Sequence, residues 1–194
     1  MRKIITNQER KRKKKFKQFV VSGILIFIMF FSVIGYSFQG KDSEDSDKKV
    51  IYNNFEFVEQ NDFWFTNNGQ ISFAFKHNPA QTQEIDFNLY GFDISGKPLY
   101  VYSEDRDAEI EIYRNLNQIV QRIQPACLNK TEFQLKDCDE NLPIKTCADN
   151  FIIITEKNMS EITQENNCIF ISGNQTKLAE LTDVFLFKLL NIKE

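Results

Sequence analysis

No charged residue occurs between Phe19 and Phe38, a run of 20 positions. A helix rising about 1.5 Å per residue covers roughly 30 Å over that length, the thickness of a bilayer's hydrocarbon core. The pattern predicts an N-terminal transmembrane helix over 19–38. The competing reading is a cleaved signal peptide with Gly35 and Ser37 as its small residues, but such a core runs only about 7–15 residues. Residues 39–49 (QGKDSEDSDKK) hold no large apolar side chain and read as a flexible tether.

Beyond the tether the pattern becomes that of a folded domain over 50–194. Phe55, Phe57, Phe63, Trp64, Phe65, Ile71, Phe73 and Phe75 fall close to alternating spacing, as in strands with one buried face. Asn61-Asp62 and Asn68-Gly69 punctuate them, the latter as a hairpin whose two central residues accept positive φ. Ile85, Phe87 and Leu89, followed by Phe92 and Ile94, predict another strand, and Ser95-Gly96 separates it from Leu99–Tyr102. That last run is continuously apolar or aromatic, as in a central strand covered on both faces.

Ile112, Tyr113, Leu116, Ile119, Val120 and Ile123 form one stripe at helical spacing, with Ser103 or Asp105 as cap and Pro125 as stop. Phe151–Ile154 and Cys168–Ile171 read as buried strands. Leu178, Leu181, Val184, Phe185, Leu189 and Ile192 describe a closing amphipathic helix capped by Asn174 or Thr176. The order of elements predicts an α+β fold: a mixed or antiparallel sheet with two amphipathic helices packed on it.

Charge orients this layout. Residues 1–40 carry nine basic side chains and one acidic, whereas the remainder carries 15 basic and 26 acidic. A basic flank stays in the cytoplasm, so residues 1–18 are expected inside and the domain outside, on the cell membrane. The basic segment touches membrane lipid headgroups in this reading. An outer part of net charge −11 is a poor match for nucleic acid, and none is expected as a partner.

An extracytoplasmic location makes the four cysteines, Cys127, Cys138, Cys147 and Cys168, candidates for structural disulfides. Their intervals of 11, 9 and 21 do not supply the close pairs of a structural zinc site or a redox motif. Three pairings are possible. Cys127–Cys138 with Cys147–Cys168 is the one favoured, since it closes the irregular segment after Pro125 and staples its end to the strand at Cys168. Asn129, Asn158 and Asn174 each head an Asn-x-Ser/Thr triplet and are candidate glycosylation sites.

Candidate chemistry is sparse. Glu104, Asp105, Asp107, Glu109 and Glu111 crowd a helix start, where a helix dipole already favours acidic side chains. Asp137, Asp139 and Asn141 begin like a calcium loop, but Leu142 stands where Gly is needed and Ala148 where a bidentate Glu is needed. His77 is the only histidine and lies at a strand end before a turn. No P-loop, GxGxxG, GxSxG or CxxC is present. Accordingly no catalytic residue, metal or cofactor is assigned.

The segments Tyr52-Asn53-Asn54-Phe55-Glu56-Phe57, Leu142-Pro143-Ile144-Lys145-Thr146-Cys147, Asn167-Cys168-Ile169 and Asp183 to Ile192 (DVFLFKLLNI) carry a resemblance. The layout resembles the uncharacterised single-pass membrane proteins of small-genome archaea of the DPANN kind. That resemblance implies an anchored, cysteine-containing outer domain, and it implies no activity. The expected function is a non-enzymatic module that binds a protein or envelope component. The alternative is a membrane-tethered hydrolase using carboxylates near Glu104 to Asp107.

Overall fold

The structure, a computed structural model, describes residues 17–29, 48–129, 138–139 and 141–193. The chain divides into two units, Met1–Ser46 and Asp47–Glu194. In the first, residues 17–29 form helix α1, whose large side chains, including Phe19, Leu25, Phe27 and Met29, are exposed. Among the described residues no helix is long and apolar enough to cross a membrane. The expected span over 19–38 runs on into residues 30–38, and the tether over 39–47; both stretches lie outside the described residues.

The second unit is α+β, but it holds two main sheets rather than one. The first joins β1 (Lys49–Tyr52), β2 (Phe55–Gln60), β3 (Phe63–Asn68) and β4 (Ile71–Phe75) as an antiparallel meander. Lys49 therefore belongs to a strand, not to the tether. Asn53 and Asn54, like Asn61 and Asp62, have positive φ in pairs, as two-residue type I′ turns require. The third hairpin differs from expectation. Asn68 pairs with Ile71, so Gly69 and Gln70 form the turn, and only Gly69 has positive φ, the type II′ pattern.

The second sheet contains β5 (Pro98–Ser103), β6 (Arg122–Pro125), β9 (Phe151–Glu156), β10 (Glu161–Glu165) and β11 (Cys168–Gly173), in the order β10-β11-β9-β5-β6. It is mixed: β6, β5, β9 and β11 run parallel, and β10 is antiparallel to β11. A small parallel pair, β7 (Cys127–Leu128) and β8 (Ile144–Lys145), stands apart. Helix α2 (Arg106–Leu116) connects β5 to β6. Its N-cap is Asp105, whose carboxylate accepts the Ala108 N–H at 2.8 Å. The expected helical stripe was too long: Ile119 and Val120 lie in the turn beyond α2, and Ile123 is in β6. Pro125 is tolerated in β6 because that strand is an edge.

Helix α3 (Leu178–Leu189) follows a 3₁₀ turn, Gln175–Lys177, capped by Asn174. Every residue from Leu178 to Phe187 is buried. One side packs on β9 and β11. On the other, the Phe187 ring meets Phe57 and Phe75 of the first sheet, with centroids 6.0 and 4.7 Å away. With a sheet on each side, α3 has no solvent face from Leu178 to Phe187, so the expected amphipathic helix is instead a central one. Helix α2 lies beside it, against β4 and β5.

No strand forms over 85–94, although Phe87, Phe92 and Ile94 are buried as their alternation suggests. The extended segment is tied to β10 by a side chain. Gln164 accepts the Tyr90 N–H and donates to the Tyr90 carbonyl, both at 2.8 Å. A second, smaller core of Tyr100, Ala126, Leu128, Phe151, Ile153, Cys168 and Phe170 forms around β5, β9 and β11, with Cys147 packed against it.

Candidate functional site

Two carboxylic acids are buried where α2 meets α3. Asp183 is 0% and Glu111 1% exposed. Asp183 occupies the central helix, and Glu111 lies on the inner side of α2, next to Ile112. A single oxygen, Asp183 Oδ2, accepts the His77 backbone N–H at 3.0 Å and lies 2.8 Å from His77 Nδ1. Oδ2 can accept both the backbone N–H and an imidazole proton carried on Nδ1. Nε2 is then the basic nitrogen, on a side chain 29% exposed.

Glu111 is held differently. Its Oε1 accepts from Arg114 at 2.8 Å, and its Oε2 lies 3.4 Å from the Asn115 amide. The Arg114 guanidinium also covers the Phe63 ring at 4.2 Å, which fixes it against β3. Asn115 has a second role. Its carboxamide accepts the Ala74 N–H and donates to the Ala74 carbonyl, each at 2.9 Å, so it acts as a strand partner for the open edge of β4. That strand ends at Phe75, two residues before the histidine that meets α3.

Burial, then the charge of Asp183, pushes Glu111 up to about 8 despite Arg114. Burial likewise pushes Asp183 up to about 8, against its bond from the His77 N–H. The charge of one carboxyl thus bears on the other, and the two titrate as one pair. That pair retains a proton at neutral pH. Asp183 Oδ1 is buried without a hydrogen-bond partner, a position that a neutral carboxyl tolerates better than a carboxylate. Burial pushes the His77 imidazole below its ordinary value, against a weaker pull from Glu180. Glu180, buried on α3, takes Lys177 at 2.6 Å and the Gln83 N–H at 3.0 Å. Burial works to raise its carboxyl, but these two bonds together hold it below the usual range.

The acidic residues singled out at the helix start do not converge. Glu104 accepts the Glu156 N–H at 2.7 Å, Asp105 caps α2, and Asp107 pairs with Lys76 at 2.7 Å on the surface. Asp139 accepts the Asn141 N–H, and Asp137 lies outside the described residues. Among the described residues, no three His, Cys, Asp or Glu side chains group as a metal site. The cysteines are bonded as Cys127–Cys138 and Cys147–Cys168. Asn129, Asn158 and Asn174 are all exposed; Asn174 Oδ1 accepts the Thr176 N–H.

Asp183, Arg114 and Asn115 were missed as site residues in the sequence. The available signal was a Glu and an Asp, three positions apart, inside a mostly apolar helix, at Glu180 and Asp183. A cleft of about 440 Å³ is lined by Tyr52, Asn53, Glu84, Phe87, Val184 and Lys188 among others. No family model, curated protein or solved structure matches this chain.

Proposed function

We propose that this protein is a single-pass membrane protein whose extracytoplasmic domain binds a protein or an envelope component. The observation that carries the reading is the pair of disulfides, since such bonds persist in oxidising compartments outside the cytoplasm. Anchoring through membrane lipid over 19–38 is supported by the basic flank and by the exposed apolar side chains of α1. The likeness to DPANN-type single-pass proteins and the three exposed sequon asparagines fit the same topology. The 440 Å³ cleft falls within the size range of small-ligand sites, about 300–1,000 Å³, and is the first place to look for bound material. Protease added to intact cells should digest the chain beyond Gly40 and spare the basic N-terminus. An ectodomain cut only after lysis sinks the topology. Crosslinking in native membranes, followed by pull-down, then identifies the partner.

A tethered hydrolase is the second reading, and one observation favours it. A neutral imidazole held at Nδ1 by a buried carboxyl presents Nε2 as a general base. This moves the alternative from Glu104–Asp107 to His77. Turnover of an ester or peptide panel that His77→Gln abolishes and Asp107→Asn spares would replace the binding reading.

A further inference from the structure

Two cations flank Tyr100 on the second sheet. Tyr100 lies on β5 with its ring edge-on to Phe151, in the small core that the disulfide-bonded segment covers. Arg122, exposed on edge strand β6, places Nη2 3.3 Å from the Tyr100 hydroxyl. Lys145, on β8, holds its ammonium over the Tyr100 ring, 4.2 Å from the centroid. Lys145 first, then Arg122, hold the Tyr100 phenol below its ordinary range, the mark of a positive potential at that oxygen.

The fold delivers Lys145 there deliberately. Leu128 pairs with Lys145 across the β7–β8 ladder, and the Asn129 N–H donates to the Lys145 carbonyl at 2.9 Å. Two residues on, Cys147 is bonded to Cys168 at the start of β11, and Cys127 anchors the other strand to Cys138. Among the described residues Arg122 has no carboxylate partner. Lys145 reaches Asp149 at 3.5 Å, well beyond the 2.7–2.9 Å of a tight charged bond. One cation thus lies at the Tyr100 hydroxyl and a second over its ring, in a domain whose net charge is strongly negative.

We propose that Tyr100, Arg122 and Lys145 form a binding site for one tetrahedral oxyanion, a phosphate or a sulfate. A guanidinium fork, a point ammonium and a hydroxyl offer donors of three kinds to three oxygens, whereas a carboxylate has only two. The inference rests on the binding-module reading for its biological meaning: it gives the partner a phosphate or sulfate group.

The test is calorimetric titration of the full-length protein in detergent, disulfides intact, with inorganic phosphate, inorganic sulfate and acetate. One equivalent of phosphate or sulfate should bind saturably, and more tightly than acetate. Arg122→Gln and Lys145→Gln should each weaken it by about tenfold or more, the usual worth of one charged hydrogen bond. Lys157→Gln, removing a surface lysine paired with Glu161, should change nothing. Chemical shifts in the unaltered protein supply a second readout, because phosphate should perturb the Tyr100 ring first. The inference is overturned by absence of saturable phosphate or sulfate binding, by acetate binding equally well, by indifference to both substitutions, or by a perturbation centred elsewhere. Glycerol 1-phosphate separates the sources: tighter binding than inorganic phosphate makes the oxyanion the end of a larger ligand, and weaker binding makes the free ion the ligand. A crosslinked partner that folded Arg122→Gln and Lys145→Gln variants still capture, with no oxyanion binding in the unaltered protein, sinks this inference alone. Oxyanion binding without any partner sinks the module reading instead.

Discussion

At the scale of single residues, the Glu111–Asp183 pair makes stability depend on pH in an unusual direction. Both carboxyls are raised from their ordinary values to about 8, so the folded protein binds a proton that the unfolded chain releases near pH 4. The contribution is fully present below about pH 4 and is lost as pH rises towards 8. One proton is worth up to about 1.4 kcal/mol per pH unit across that window. His77 acts oppositely: its lowered value favours folding above about pH 6.5, and this is lost as pH falls through the folded value. Urea midpoints measured from pH 4.5 to 8.5 should therefore decline towards alkaline pH, and Glu111→Gln should flatten the decline. A midpoint that climbs steadily with pH in the unaltered protein would contradict a shared buried proton. Asn115→Ala strands the N–H and carbonyl of Ala74 together and should cost roughly 2 kcal/mol or more, read from the same unfolding curves.

At the scale of elements, amide side chains do the work that neighbouring strands usually do. Asn115 covers the edge of β4, and Gln164 ties the 84–94 segment to β10. This explains why that segment alternates like a strand without being one: its apolar residues face the core, but its backbone has one side-chain partner in place of a ladder. The alternation was legible in the sequence and the missing ladder was not, because pairing depends on which chain happens to lie alongside. The limits of α2 have a similar origin. Ile119, Val120 and Ile123 keep helical spacing, yet the chain must turn at Asn117 for β6 to run parallel to β5. Close packing of α3 offers a sharp test. A Cβ added at Gly173, at the end of β11, would collide with the Leu181 side chain. Gly173→Ala should destabilise by about 1–3 kcal/mol through overpacking, with the thermal midpoint as the measure. Phe187→Ala, which empties the space between Phe57 and Phe75, should cost about 3–5 kcal/mol.

At the scale of the whole molecule, two disulfides cross-link the chain between α2 and α3. Each closes a loop of 11 or 21 residues, and loops of this size contribute about 3 kcal/mol by restricting the unfolded chain. Reduction should lower the thermal midpoint markedly while α2 and α3 persist, since neither helix lies within those loops. Peptide mapping of the non-reduced protein should recover Cys127 with Cys138 and Cys147 with Cys168. Four thiols open to alkylation would refute both bonds.

The amino-acid sequence by itself determined the local features. Asparagine-rich turns, the Asp105 cap, the buried strands at Phe151 and Cys168 and the apolar run at 19–38 all depend on neighbours close along the chain. Only the tertiary structure decided that α3 is covered on both sides, and with it the site. Glu180 and Asp183 fall outside the apolar stripe of the last helix, and burial reaches them only because a sheet lies on each side. Glu111 reads as dipole-favoured charge until α2 turns it towards α3. Their burial, their shared proton and their hold on His77 arise from packing between residues 34 to 106 positions apart, a juxtaposition that no periodicity along the chain records.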